Sequence, residues 1–159
     1  MVQRSELARL DGAFAGAILV HLSTEGFTTL KCAIKDTGTA DLVFRNVHSW
    51  LRAGSADASL ADIFRVLKSG GTLGVVQHRG TDGMGLDQMK RTAYVPEAKV
   101  IALAEAAGFV LDGRSDINAN PKDTKDYPGG VWTLPPSFRE GDNDREKYAA
   151  IGESDRMTL

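Results

Sequence analysis

The stretch between positions 41 and 80 constrains this chain more than any other, because it reads as strand, helix, strand. Asp41 opens Leu42-Val43-Phe44, a short apolar run with the β-branched and aromatic character of a buried strand. The run breaks into the polar side chains Arg45, Asn46 and His48. Ser55 and Asp57 suit a helix start, and Leu60, Ile63, Phe64 and Leu67 fall at i, i+3, i+4 and i+7, one apolar stripe. Lys68 suits the negative end of a helix dipole, and Gly70-Gly71 a positive-φ stop. A second strand is expected over 72–77, ending in His78-Arg79-Gly80. Parallel strands joined by a right-handed crossover put both carboxyl ends on one sheet edge. Open α/β sheets bind ligands in the crevice outside those ends. The unit predicts an α/β fold with a mostly parallel sheet and flanking helices. It directs attention to Arg45, Asn46, His48, Trp50, His78 and Arg79.

Residues 41–44, then Ile63-Phe64-Arg65-Val66-Leu67-Lys68-Ser69-Gly70-Gly71-Thr72-Leu73 and the strand after them, resemble the second half of a class I S-adenosylmethionine-dependent methyltransferase. In that family the fourth strand opens with an acid followed by apolar residues. A helix then ends in an R-x-L-K-P-G-G turn that leads into the fifth strand. Ser69 stands here where the family usually has proline. Segments 118–126, 130–136 and 152–159 are similar to a bacterial subgroup of predicted methyltransferases, so the resemblance spans residues 41–159. It implies a Rossmann-like fold, S-adenosyl-L-methionine as cofactor and a small-molecule methyl acceptor.

The same resemblance places Arg45 and Asn46 where the fourth strand meets the cofactor's amino-acid portion, Arg45 for the carboxylate and Asn46 for the amine. An ion pair of Arg45 with Asp41 or Asp62 is the competing reading. His48 and His78 are the candidate catalytic residues, because histidine titrates near neutrality and suits removal of a proton from an acceptor. Each is equally well read as hydrogen-bonding a loop. Trp50, Asn118, Asn120 and Trp132 are the candidate substrate-binding residues; the competing roles are core packing for Trp50 and turn chemistry around Asn118-Ala119-Asn120-Pro121. Asp155 and Arg156 read as a structural pair at the start of a final strand. The histidines lack metal-ligand spacing, so no metal site is expected.

The 159 residues read as a single domain, with an atypical segment at 1–40 and a methyltransferase-like half at 41–159. A βαβ repeat takes about 30 residues or more, so residues 1–40 have no room for the three strands and helices the family places there. Short strands are expected at 17–22 and 28–34. Asp11-Gly12 to Gly16 and Gly83-Met84-Gly85 lack the context of a cofactor loop, and each reads as a turn. The chain thus resembles a methyltransferase truncated before the glycine loop. The alternative is a non-catalytic half-domain that binds no cofactor alone and forms a homodimer through the exposed edge of the strand at Asp41.

Further along, residues 81–92 read as a polar connection, and Pro96 as the first residue of a helix with Val100, Leu103, Ala104 and Ala107 inward. A strand is expected from Phe109 towards Ile117, delivering Asn118 and Asn120 to the edge that holds His48 and His78. The polar stretch 118–141 reads as an ordered covering loop anchored by Val131-Trp132-Thr133-Leu134, with Tyr127 and Phe138. A short helix is expected over 142–150. A hydrophobic fraction of 42%, a charged fraction of 25% and a net charge of −2 give no basic stripe for nucleic acid. The apolar run at 13–22 is too short to span a bilayer and lacks a signal peptide's basic start, so a cytoplasmic location without membrane partners is expected. Cys32, alone, forms no intramolecular disulfide.

Overall fold

The structure, a computed structural model, describes residues 38–159; the strands expected at 17–22 and 28–34 and the glycine pair of 12–16 lie outside the described residues. What is described is α/β, built on a four-stranded mixed sheet. Strand β1 (Gly38–Phe44) runs parallel to β2 (Leu67–Gly80), with Val43 opposite Val75 and Phe44 opposite Val76. Strand β3 (Val95–Pro96) adds two parallel residues beside Arg79 and Gly80, and β4 (Arg156–Thr158) pairs antiparallel with residues 76–78. An antiparallel strand on an otherwise parallel sheet is common in α/β proteins. Among the described residues no helix is long and apolar enough to cross a membrane.

The strand–helix–strand unit forms, and its apolar stripe is the reason. The helix over Ala56–Val66, and Leu67 just past it, bury Leu60, Ile63 and Leu67 against the sheet. Each such side chain contributes about 1.5–3 kcal/mol by leaving water. Phe64 departs from the stripe: it stays 46% exposed and lies edge-on to Phe109, ring centroids 5.1 Å apart. The stop also differs from expectation. The helix ends at Val66 and Leu67 is already extended, so Gly70, at φ +77°, sits in an irregularity of β2. There the pairing jumps from Gly38 opposite Leu67 to Ala40 opposite Thr72. The extra residues on β2 bulge out, and glycine is what that backbone requires.

Two helices flank the stripe helix, α2, unannounced by the sequence: α1 (Val47–Ala53), between β1 and α2, and α3 (Leu86–Thr92), after β2. Each has seven residues, under two turns, too few for a period to stand out. In α1 the buried Val47, Trp50 and Leu51 nevertheless follow i, i+3, i+4. Helix α4 (Glu97–Ala106) starts one residue later than expected, Pro96 being its N-cap and the end of β3; Val100 and Leu103 are buried, Ala104 and Ala107 only in part.

The strand expected over 109–117 does not form. One bridge, Ser115 to Thr158, is its only pairing, and Val110 and Ile117 stand 86% and 82% exposed. Asp112, Gly113, Arg114 and Asp116 leave too few apolar positions on one face to hold a strand against the sheet.

Residues 118–141 cover one side as a series of turns with a 3₁₀ helix at Gly130–Thr133. The anchor packs as expected: Val131, Thr133 and Leu134 are buried. Leu134 joins Tyr127 and Tyr148, from α5 (Arg145–Ile151), in a small cluster flanked by Phe138 and Ile151. It is distinct from the main core that holds Val43, Leu60, Val75, Tyr94 and Met157.

Candidate functional site

A cavity of about 310 Å³ opens at the carboxyl ends of β1 and β2, near the lower end of the range for small-molecule sites. Phe44, Arg45 and Asn46 line it from the end of β1, His48 from the first turn of α1, and His78 from within β2. Val131, Trp132, Pro135, Pro136 and Ser137 of the covering segment form the facing wall, and Glu153 and Ser154 close it just before β4. The parallel pairing carries His48 and His78 together: their ring centroids lie 5.5 Å apart, and Trp132 stands edge-on to His48 at 6.0 Å.

Each imidazole is held by one nitrogen. His78 Nδ1 lies 2.6 Å from Ser154 Oγ. His48 Nδ1 lies 3.3 Å from Gln77 Nε2 and 3.5 Å from Gln77 Oε1. Gln77 is fully buried and its Nε2 donates to the Ala93 carbonyl at 2.9 Å, which fixes which end of the amide is nitrogen. Neither Nε2 has a hydrogen-bond partner among the described residues, and neither is a buried orphan, so both are open to the cavity.

Both rings are uncharged at neutral pH. Burial lowers His48 to about 4; the Gln77 hydrogen bond opposes the shift in part, and the positive charges of Arg52 and Arg45 add to it. Burial first, then His48, Arg45 and Arg156, lowers His78 to about 3. A general base works best with its pKa near the working pH. The pair is therefore better suited to donating and accepting hydrogen bonds than to taking up a proton.

The same shifts predict a pH dependence of stability. The folded values lie below the ordinary 6.5, so between roughly pH 6.5 and 4 the unfolded chain binds protons that the folded chain refuses. Stability must fall as pH falls through that window. The unfolding free energy from urea titration is expected to drop between pH 7 and pH 4.5, by on the order of 2 kcal/mol per histidine. His78→Gln should flatten the slope; an unchanged slope in that variant would show the ring is not the cause.

Arg45 pairs with neither candidate acid. Asp62 bonds Arg65 at 3.6 Å, and Asp41 accepts the Leu42 N–H at 2.8 Å. Arg45 is exposed, makes no ion pair among the described residues, and holds φ +55°, which brings its N–H to the Val76 carbonyl at 2.7 Å. The Asn46 carboxamide makes no hydrogen bond there either, although it precedes α1. Both face the cavity unengaged.

Three of the expected substrate-binding residues do not line the cavity. Trp50 is part of the main core. Asn118 donates to Thr158 Oγ1 at 2.9 Å, and Asn120 donates to the Ile151 and Glu153 carbonyls at 2.9 and 2.6 Å. Asn118 ties the covering segment to β4 and Asn120 ties it to the end of α5, while Asn120 Oδ1 also makes the local turn by accepting from the Lys122 N–H at 3.1 Å. Trp132 does line it, with the Arg139 and Arg52 guanidinium carbons 4.4 and 5.3 Å from its ring centroid. Asp155 pairs with Lys125 at 2.9 Å, whereas Arg156 pairs with Glu153 at 2.7 Å, so the expected Asp155–Arg156 couple is two separate pairs.

Gln77, Ser154 and the two prolines escaped the sequence. Ser154 lies 76 positions from His78, and no local pattern links them. Gln77 sat in an apolar strand where a polar residue was the available signal. Among the described residues no cluster of three histidine, cysteine, aspartate or glutamate side chains is placed to hold a metal. Comparisons with protein-family models, with curated proteins and with solved structures find no match.

Proposed function

We propose that the chain is an S-adenosylmethionine-dependent methyltransferase-like protein acting on a small-molecule acceptor, its sheet being the later strands of a Rossmann-like class I fold. The observation that carries this reading is the cavity at the carboxyl ends of two parallel strands, where a cation and an amide stand unengaged beside two uncharged histidines. The donor's amino-acid end asks for a carboxylate partner and an amine partner, and Arg45 and Asn46 have those groups to offer. When bound, the donor supplies a methyl group on a sulfonium centre. This chain's residues bind and orient: Arg45 and Asn46 hold one end, His48 and His78 meet the acceptor's polar atom, and the covering segment excludes water.

Calorimetry with S-adenosylhomocysteine tests it. A saturable heat is expected, weakened about tenfold in Arg45→Gln, the loss of one charge-assisted contact. Absence of heat at millimolar ligand would leave the non-catalytic half-domain as the reading. That reading has an observation of its own: β1 has β2 as its sole strand partner among the described residues. A native mass at twice the chain's would then support edge-to-edge association.

A further inference from the structure

We propose that the acceptor side of this cavity takes a phenol, seated on Trp132 with its oxygen between His48 and His78. The proposal rests on the methyltransferase reading for the fate of that oxygen, while the binding itself stands on the cavity.

Two walls of different chemistry argue for it. The covering segment contributes one indole face, Trp132, flanked by Pro135, Pro136 and Val131. Arg139 and Arg52 brace the indole, and Arg52 is itself held through Nε and Nη2 to the Lys90 carbonyl at 3.2 and 2.8 Å. A planar ring gains most from such a surface. The opposite wall presents two imidazole Nε2 atoms whose rings lie 5.5 Å apart, close enough to share one ligand oxygen. Neutral imidazole either donates or accepts at that atom according to tautomer, so a pair suits both a hydroxyl and its anion.

Charge selects among aromatic ligands. The groups facing the histidines are Arg45 at the end of β1, Arg52 on α1, Glu153 and Arg156 at β4, with Arg139 beyond Trp132. Glu153 is the one carboxylate in the lining among the described residues, and Arg156 neutralises it at 2.7 Å. The remaining field is positive, and it favours the ionised oxygen. On ionisation the ligand's O–H bond breaks, the electron pair stays on oxygen, and the proton goes to water because both imidazoles resist it. The oxygen keeps two N–H donors in place of solvent. With Arg45 assigned to the donor's carboxylate, the histidine pair is left for a ligand with a single acidic oxygen on a ring.

4-Nitrophenol is the probe, because its ionisation is read directly by absorbance. Saturable binding is expected, with the bound midpoint displaced downward by about one pH unit, a tenfold preference for the anion. The Trp132 indole resonance should move on binding, while that of core-buried Trp50 should not. Arg45→Gln, an exposed position, should return the midpoint towards the free value. 4-Nitroanisole, which has no acidic proton, should compete at least tenfold less well. An unmoved or raised midpoint, or equal binding of 4-nitroanisole, would each overturn the phenol assignment. Binding of 4-nitrophenol without any heat from S-adenosylhomocysteine would keep this site and remove the methyl donor. The reverse result would keep the donor and remove the phenol.

Discussion

Gly130→Ala is expected to lower the unfolding free energy by about 3 kcal/mol or more. Gly130 holds φ +61°, a conformation that costs a side-chain-bearing residue about 1–2 kcal/mol. The added Cβ would also collide with the Thr92 carbonyl oxygen and stand 2.5 Å from Thr92 Cα. Those are backbone atoms at the end of α3, so no side-chain rotation relieves the contact. Either the 3₁₀ helix lifts away from α3 or the turn of α3 opens. Both displace Trp132, so urea unfolding and the Trp132 indole signal should change together. Gly129→Ala is the comparison: its Cβ would meet the Glu140 and Thr133 side chains at 2.9 Å, and side chains yield. Equal midpoints for Gly130→Ala and the parent chain would refute the account.

Asp123→Ala should cost on the order of 3–5 kcal/mol, since it leaves several buried donors without an acceptor. The Asp123 carboxylate accepts from Tyr94 Oη at 2.8 and 2.9 Å, from Asp155 N at 2.7 Å and from Lys125 N at 3.0 Å. Asp123 and Tyr94 are both buried. Burial, reinforced by the Asp123 charge, holds the Tyr94 hydroxyl far above its usual range, so it remains a donor at any pH the protein meets. One carboxylate thus joins the segment before α4, the covering segment and the approach to β4. Tyr94→Phe, which removes a single donor, should cost about 1–2 kcal/mol. If Asp123→Ala cost no more than Tyr94→Phe, the backbone N–H groups would have to be satisfied by water.

What could be read from the sequence was what repeats. The stripe of Leu60, Ile63 and Leu67 spans two turns, so its period declared a helix, and the flanking apolar runs declared parallel strands. Helices α1 and α3 were silent because seven residues hold fewer than two turns. The segment 109–117 misled for the opposite reason: Phe109 and Leu111 alternate like a strand, but nothing pairs beside Asp112 to Arg114. In the site, His48 and His78 were legible because strand ends are where polar residues gather. Trp132 was legible as an aromatic between Val131 and Leu134 in a largely polar stretch. Ser154 and Gln77, which hold the two rings, were not, since long-range hydrogen bonds leave no local trace. Asn118 and Asn120 looked like site residues because asparagine serves turns and ligands equally well.

The separate cluster of Tyr127, Leu134 and Tyr148 gives the covering segment a cohesion of its own. Its ties to the rest of the molecule are the Asp123 network, the Asn118 and Asn120 bonds, the Lys125–Asp155 pair, the packing of Val131, and the contacts of Trp132 with His48 and Arg52. A unit built this way opens at lower free energy than the core it covers. Backbone amides of the covering segment, such as those of Leu134 and Phe138, should therefore exchange with deuterium well before those of Val75 and Gln77. The floor of the cavity would outlast its roof, and a ligand would enter without disturbing the strands that hold the histidines.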